Sequence, residues 1–411
     1  MRVLWLSHLV PYPPKGGTLQ RSYNLMHNLA HGHDVKLLCF NQRALLPTRA
    51  DVQQAVAALS EFVDVLDIID IPSNSRTFGR ELLAATSYVT GRAYTIEWLR
   101  SREYRAAVAK AVSDHSPDLL HFDTISLAQY RDLAGNRPCV LNHHNIESMM
   151  MERRAELEPK PLQRHYYTTE ARRLRRYESR HAADFDLHLT CSALDAERLH
   201  QIAGNVSVEV VPNGVDLEYF RPALDAVEEP HSMIFAGGLT WYPNLSAVEF
   251  LTQRVWPLVR AEFPDAVLTI IGKSPPNWLR ELAKSDARVR VTGFVDDVRP
   301  YMDRASVYVC PIFDGGGTKL KVLDALAMGK PLVANPIAVE GIDAVPEKHW
   351  LAADTPEEFL KAIRRLFGDA ALRHSLSENA RRLIADTYSF AEIGRRLAQK
   401  YELLGARGSK I

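Results

Sequence analysis

At 411 residues the chain is longer than one hydrophobic core usually organises, so two domains are expected. Its 50 Lys and Arg balance 50 Asp and Glu, and 46% of it is hydrophobic against 24% charged, an ordinary globular composition that excludes a disordered tail. Zero formal net charge argues against a nucleic-acid partner.

The N-terminal apolar run Val3 to Leu6 is broken by Ser7 and His8, far short of a signal-peptide core, and nowhere do about 18 apolar residues run unbroken. A cytoplasmic protein is expected, with any membrane contact peripheral. Short runs rich in Val, Ile and Leu then recur between helix-like stretches: RVLWLS, HDVKLLCF, FVDVLDIID, PDLLHF, PCVLN, DLHLT and VSVEVVP. Runs this short and this apolar fit strands buried on both faces, and so a parallel sheet covered by helices. The pattern restarts with SMIFAGG, AVLTIIG, RVRVTG, SVYVCP and PLVA. The fold class expected is α/β, with two doubly wound Rossmann-like halves facing across a cleft. Their bounds are set at 1–212 and 231–388, with a linker at 213–230 and a C-terminal helix at 389–411 packing back on the first half.

Two stretches depart from the alternation. Arg76 to Val112 mixes aromatic with basic residues, and Met149 to His181 reads as one long, Arg-rich polar helix. Each is either a solvated helical excursion or a patch for an acceptor or an anionic membrane surface. The four cysteines, Cys39, Cys139, Cys191 and Cys310, lie apart in apolar runs and read as reduced, buried thiols.

Three segments carry candidate chemistry. The loop PYPPKGGTLQR follows the first strand, where Gly16 and Gly17 let backbone amides approach a phosphate at a helix start. PCVLNHHNIE ends a buried strand in Asn142, His143, His144, Asn145 and then Glu147, polar groups at the edge where α/β ligand sites form. Tandem histidines rarely converge on one ion, so no metal is expected. In VYVCPIFDGGGTKLKVLDALAMGKPLVA, Asp314 precedes Gly315, Gly316 and Gly317, whose amides can wrap a diphosphate beside Thr318, Lys319 and Lys321, while Asp324 can reach a ribose diol. The chain has no G-x-G-x-x-G, against a nicotinamide dehydrogenase, and its D-x-D, Asp184 to Asp186, reads as an acidic lead into a strand.

With these motifs the chain resembles the retaining nucleotide-sugar glycosyltransferases of the two-Rossmann GT-B type, family 4. The resemblance rests on GG-x-x-x-R after the first strand, VVPNGVDLEYFRP, IFAGGLTWYPN, VRVTGFVDDV and the GGGTKLKVLDALAMGKPLVA block. It implies sugar transfer from a nucleotide-diphosphate donor with retention, the leaving diphosphate taking the acceptor proton, and no cofactor. It places His144 at the donor sugar, Gly16, Gly17, Gly237 and Gly238 near the diphosphate, and Phe294 and Val295 at the base. Of the family's two acidic positions eight residues apart, the second falls on Asp324 and the first on Gly316. The basic pair that usually follows the second-half GG opening is absent from LTWYPN, which shifts that charge, and a catalytic role, to Lys319. Arg21, Asp123, Asn145 and Glu147 are assigned to the acceptor side. The expected partners are a UDP-sugar, with a GDP-sugar as the alternative, and a glycan, lipid-linked or small-molecule acceptor. Two rival readings are a nucleotide-sugar epimerase of the same build, which would draw on Asp123, Glu147 or Asp314, and a non-catalytic nucleotide-sugar-binding protein.

Overall fold

The computed structural model describes residues 1–14, 17–75, 77–315 and 318–408. They form two compact units: Met1–Pro212 with Phe390–Ile411, and Asn213–Ser389. The first unit holds a seven-stranded parallel sheet built of β1 (Arg2–Ser7), β2 (Asp34–Asn41), β3 (Asp64–Asp70), β4 (Leu119–Phe122), β5 (Cys139–Asn142), β6 (Leu187–Thr190) and β7 (Val208–Val210), in the order β3-β2-β1-β4-β5-β6-β7. The second holds a six-stranded parallel sheet of β8 (Ser232–Ala236), β9 (Val267–Ile271), β10 (Val289–Gly293), β11 (Val307–Cys310), β12 (Leu332–Ala334) and β13 (Leu351–Ala352), in the order β10-β9-β8-β11-β12-β13. All twelve predicted runs become strands, which bears out the α/β class. The thirteenth strand is two residues long, too short to carry a pattern of its own.

Alternation along β1 shows why such runs are apolar throughout. Leu4 and Leu6 join one buried cluster while Val3 and Trp5 join another, so the strand is packed on both faces. The second cluster takes in Leu25, Met26 and Leu29 from the helix Gly17–Ala30, and Ile393, Leu397 and Tyr401 from the C-terminal helix Phe390–Gly408. Those last three recur every fourth residue, one stripe of a helix, and that stripe is what returns the chain's end to the first sheet.

One reading is corrected. Met149 to His181 is not a single helix: Glu147–Leu157 and Pro161–His181 are separate and pack on each other. Pro159 and Pro161 explain the break, since each lacks an N–H and restricts the residue before it. The four cysteines are free and buried, and among the described residues no helix is long and apolar enough to cross a membrane.

Candidate functional site

Open parallel sheets bind ligands beyond the carboxyl ends of their strands, where the strand order reverses. In the first sheet that point lies between β1 and β4, and polar residues gather there: Ser7 ends β1, Asp123 follows β4, and Asn142 ends β5 with His143 and His144 next. Asp123 is fully buried. Its Oδ2 accepts from Ser22 Oγ at 2.6 Å and Ser7 Oγ at 3.3 Å, and its Oδ1 from Asn142 Nδ2 at 2.8 Å and His144 Nε2 at 3.0 Å. Burial works against ionisation, but the His144 and His121 rings and the bonds they make hold the carboxyl well below its usual range. Asp123 is therefore an anion, and it orients His144 by that ring's Nε2–H, leaving Nδ1 outside the bond.

Arg21 turns out to be buried: it donates to Val211 O at 2.7 Å and to Asn142 Oδ1 at 2.9 Å. It braces the amide that in turn holds Asp123. His143 points elsewhere, as strand alternation requires, and pairs through Nε2 with His188 Nδ1 at 3.0 Å. His8 closes the group, its ring centroid 5.6 Å from that of His144, and burial followed by the neighbouring His144 lowers its pKa to about 4. One ligand atom each from His8, Asp123 and His144 lies within 4.8 Å of the others. Because Asp123 Oδ1 already accepts from Asn142 and His144, the arrangement suits a hydrogen-bonded Asp–His pair better than a cation.

Asn145 is half-buried and makes no hydrogen bond among the described residues. Glu147 opens the helix Glu147–Leu157, and beside burial the group that raises its pKa is the neighbouring carboxyl of Glu178. Glu178 accepts from Ser148 N at 3.2 Å and Ser148 Oγ at 2.5 Å, so it ties the helix Pro161–His181 to the start of its neighbour. The D-x-D carboxylates are likewise structural: Asp184 pairs with His181 at 2.8 Å, and Asp186 accepts from Cys139 N at 2.8 Å.

In the second sheet the reversal lies between β8 and β11. Gly237 and Gly238 follow β8, and Asp314 and Gly315 belong to the loop after β11. Gly315 has φ +99°, a region L side chains rarely adopt, and lies beside Pro243 at the start of the helix Tyr242–Phe250. Gly16, Gly316 and Gly317 lie outside the described residues; Gly17 opens the helix Gly17–Ala30. Asp314 and Thr318 are buried, and Asp314 Oδ1 accepts from Gly315 N. Lys319 Nζ donates to Gly315 O at 2.8 Å, tying the loop to itself.

Lys321 is placed differently. Its buried ammonium donates to Asn244 Oδ1 and lies near the Phe235 ring, and it forms no ion pair among the described residues. It also stands against Gly237, where a Cβ would meet Lys321 Nζ at 3.2 Å and the Asn244 amide at 3.0 Å. A cation thus sits at the GG opening after all, delivered from the helix Leu320–Ala327 rather than from LTWYPN. Asp324 is half-buried one turn further along that helix. Phe294 and Val295 follow β10, Phe294 exposed and Val295 packed against the core.

Sequence reasoning missed Ser7, His8, Ser22 and Asn244. Ser22 shares one helical stripe with Leu25, Met26 and Leu29, so a polar residue on a buried face was the available signal. Ser7 and His8 likewise close an apolar strand at its carboxyl end.

Two parallel-sheet Rossmann-like domains with a polar group at each switch point define the GT-B architecture. It is shared with sucrose-phosphate synthase from Thermosynechococcus elongatus, at TM-score 0.72 and 17% identity over 99% of this chain and 100% of that one. It is shared too with Anabaena HepE in complex with UDP-glucose, at TM-score 0.66 and 15% identity over 98% and 99%. The family model for Glycosyltransferase Family 4 matches residues 15–219, and that for Glycosyl transferases group 1 matches residues 230–369. The chain belongs to the glycosyltransferases. Among curated relatives, the phosphatidyl-myo-inositol mannosyltransferase of Mycolicibacterium smegmatis is 27% identical over 216 residues, 51% of this chain and 55% of that protein. The chain thus spans about half the length of the curated relatives it matches.

Half-buried Glu147 and buried Glu178 give the site's surroundings a pH dependence. Burial and the nearby Glu178 push Glu147 from its ordinary 4.5 up to about 8, so the folded chain holds that proton more tightly than the unfolded one. The stability this contributes is complete below about pH 4.5 and is lost as the pH rises through about 8. Glu147→Gln, which imitates the protonated form, should raise the melting temperature at about pH 8.5 far more than at about pH 5. An equal offset at both pH values would contradict the assignment.

Proposed function

We propose that the protein transfers a sugar from a nucleotide-diphosphate donor, a UDP-sugar by preference, to a glycan or lipid-linked acceptor with retention of anomeric configuration. The observation that carries this is the Asp123–His144 pair at the switch point of the first sheet, in a chain whose second domain offers glycine amides and a buried lysine. In the reaction the bond from the anomeric carbon to the diphosphate breaks and a bond to the acceptor oxygen forms on the same face. The acceptor's proton passes to the departing diphosphate oxygen, so no protein nucleophile is needed. Negative charge grows on the diphosphate, and preorganised donors at that point act where stabilisation is largest. His144, held by Asp123, is assigned to the donor sugar, Asp324 to the ribose, and Phe294 and Val295 to the base. HepE's complex with UDP-glucose supports the choice of uridine.

A membrane-bound acceptor agrees with one surface of the first domain. In the helix Gly79–Thr90 only Gly79 and Ser87 are buried, and Phe78, Leu82, Ala85 and Val89 form an exposed stripe, Phe78 at 75% and Val89 at 84% exposure. Arg80 lies in the first turn of the helix and Arg92 just beyond its C-terminal end. An exposed apolar stripe on a helix with an arginine near each end suits an anionic lipid surface. The protein should therefore sediment with phosphatidylglycerol-containing vesicles and not with pure phosphatidylcholine, and L82E/V89E should abolish this; sedimentation unchanged by the double variant would reject the surface.

The catalytic assignment is tested at His144. His144→Ala should lower kcat on the order of 100-fold while the donor KM moves little, as for a contact made mainly in the transition state. His143→Ala should chiefly lower the melting temperature, and NMR of the product should show the donor's own anomeric configuration. An inverted product would overturn retention.

For the diphosphate, Lys321→Met should raise the donor KM about 10- to 100-fold, the scale of one lost charge-assisted bond. Lys319→Ala, which removes a bond to the loop's own carbonyl, should cost less. The opposite ranking would return the role to Lys319.

A further inference from the structure

A second histidine faces Asp123 and has no part in the function proposed above. His121, on β4, lies with Nε2 3.5 Å from Asp123 Oδ1, and its Nδ1 is 2.5 Å from the hydroxyl of Tyr401 in the C-terminal helix. Both side chains are fully buried. Trp5 stacks on the ring, with centroids 3.5 Å apart and planes 17° from parallel, so it cannot swing without leaving that contact.

The proton positions follow from what each nitrogen faces. A lone pair on Nε2 would point at the Asp123 anion and repel it, so Nε2 carries the hydrogen. Burial, the largest influence on His121, lowers its pKa and disfavours a second proton on the ring. Nδ1 is then an acceptor. Burial also raises the Tyr401 hydroxyl's pKa, so it keeps its proton and donates it to Nδ1. The chain of donors runs Tyr401 O–H to His121, His121 Nε2–H toward Asp123, and His144 Nε2–H to the same carboxylate.

We infer that Tyr401 is a positioning residue of the Asp123–His144 pair: its hydroxyl fixes His121 in the Nε2–H form, and that N–H, 3.5 Å from Asp123 Oδ1 and without another partner, turns its positive end to the carboxylate that Asn142 and His144 bond. The field of that N–H at Oδ1 affects how firmly the carboxylate holds His144. Without the hydroxyl, His121 is free to carry its hydrogen on Nδ1, turn a lone pair to Asp123 and disturb the carboxylate that orients His144. The helix that ends the chain is by this account a working part of the first domain's site, not only a cover for its sheet. The inference rests on the assignment of His144 to the reacting sugar, but the tautomer it requires can be read without any turnover.

The test uses the full chain labelled with 15N-histidine. Wild type should show His121 with Nδ1 as the unprotonated, pyridine-like nitrogen, and Tyr401→Phe, which keeps the buried ring, should move hydrogen to Nδ1. Turnover should fall about tenfold with the donor KM unchanged, the factor one lost hydrogen bond accounts for. His121→Gln, which can present an N–H to Asp123 without help from Tyr401, gives a second arm. H121Q/Y401F should turn over no more slowly than H121Q alone, because the two residues act in series. A wild-type His121 protonated on Nδ1, or a Y401F spectrum identical to wild type, overturns the inference. So does an additive cost in the double variant. If the tautomer shifts as stated while no sugar is transferred by any form, the positioning stands and the transferase reading fails.

Discussion

The buried charge of Asp123 is the constraint on which the first domain's site depends. An isolated carboxylate removed from water is costly by far more than the few kcal/mol that hold a domain together, so it persists only where donors surround it. Three elements supply four of them: the end of β1 gives Ser7, the helix Gly17–Ala30 gives Ser22, and the end of β5 gives Asn142 and then His144. Each donor must arrive with its strand end or helix face in register, and Arg21 fixes the Asn142 amide from behind. Removing the carboxylate would leave four donors facing one another in a dry space. The polar group thus couples the geometry of three parallel strands to the orientation of a single imidazole.

The second domain sets up the converse. Lys321 is a buried cation whose only described hydrogen-bond partner is a neutral amide, and burial lowers its pKa. A group so placed is poorly solvated for as long as no anion approaches. A diphosphate beside Gly237 would supply the missing charge, and Gly237 leaves the room that any Cβ would take from Lys321 and Asn244. Where an exposed lysine would gain little from a phosphate in water, a desolvated one gains more, because the surrounding medium screens less.

How much of this was legible follows from the distance in sequence over which each interaction acts. The strands were readable because a strand buried on both faces needs nothing but apolar residues, and those are local. The glycine block stood out because three consecutive glycines lie just before a helix start. Asp123 and His144 stood out as polar residues at strand ends, yet Ser22 lies 101 residues from Asp123, and Tyr401 lies 280 from His121. No local pattern reports such a partner. The proximity of Glu147 and Glu178 was hidden for the same reason, since Glu178 lies on the far side of the turn at Pro159 and Pro161. Those prolines were themselves a local signal that the Arg-rich stretch is two helices.

On the proposed function, the basic pair missing after the second GG opening is replaced by a cation from another place in the sequence. What a developing diphosphate charge requires is a cation at a point in space, and the chain can bring one there from either side of the switch between β8 and β11. LTWYPN instead carries Asn244, which neither repels nor neutralises a phosphate. It receives the Lys321 ammonium through its oxygen and donates through its nitrogen to Gly238 O at 2.9 Å, so one amide anchors both the lysine and the GG turn. The lysine that takes the pair's place is a charge on the helix Leu320–Ala327, held by the first turn of the helix Tyr242–Phe250. Because the helix is embedded in the domain core through Val322, Leu323 and Leu326, the cation is fixed before any ligand arrives, and little ordering remains to oppose binding.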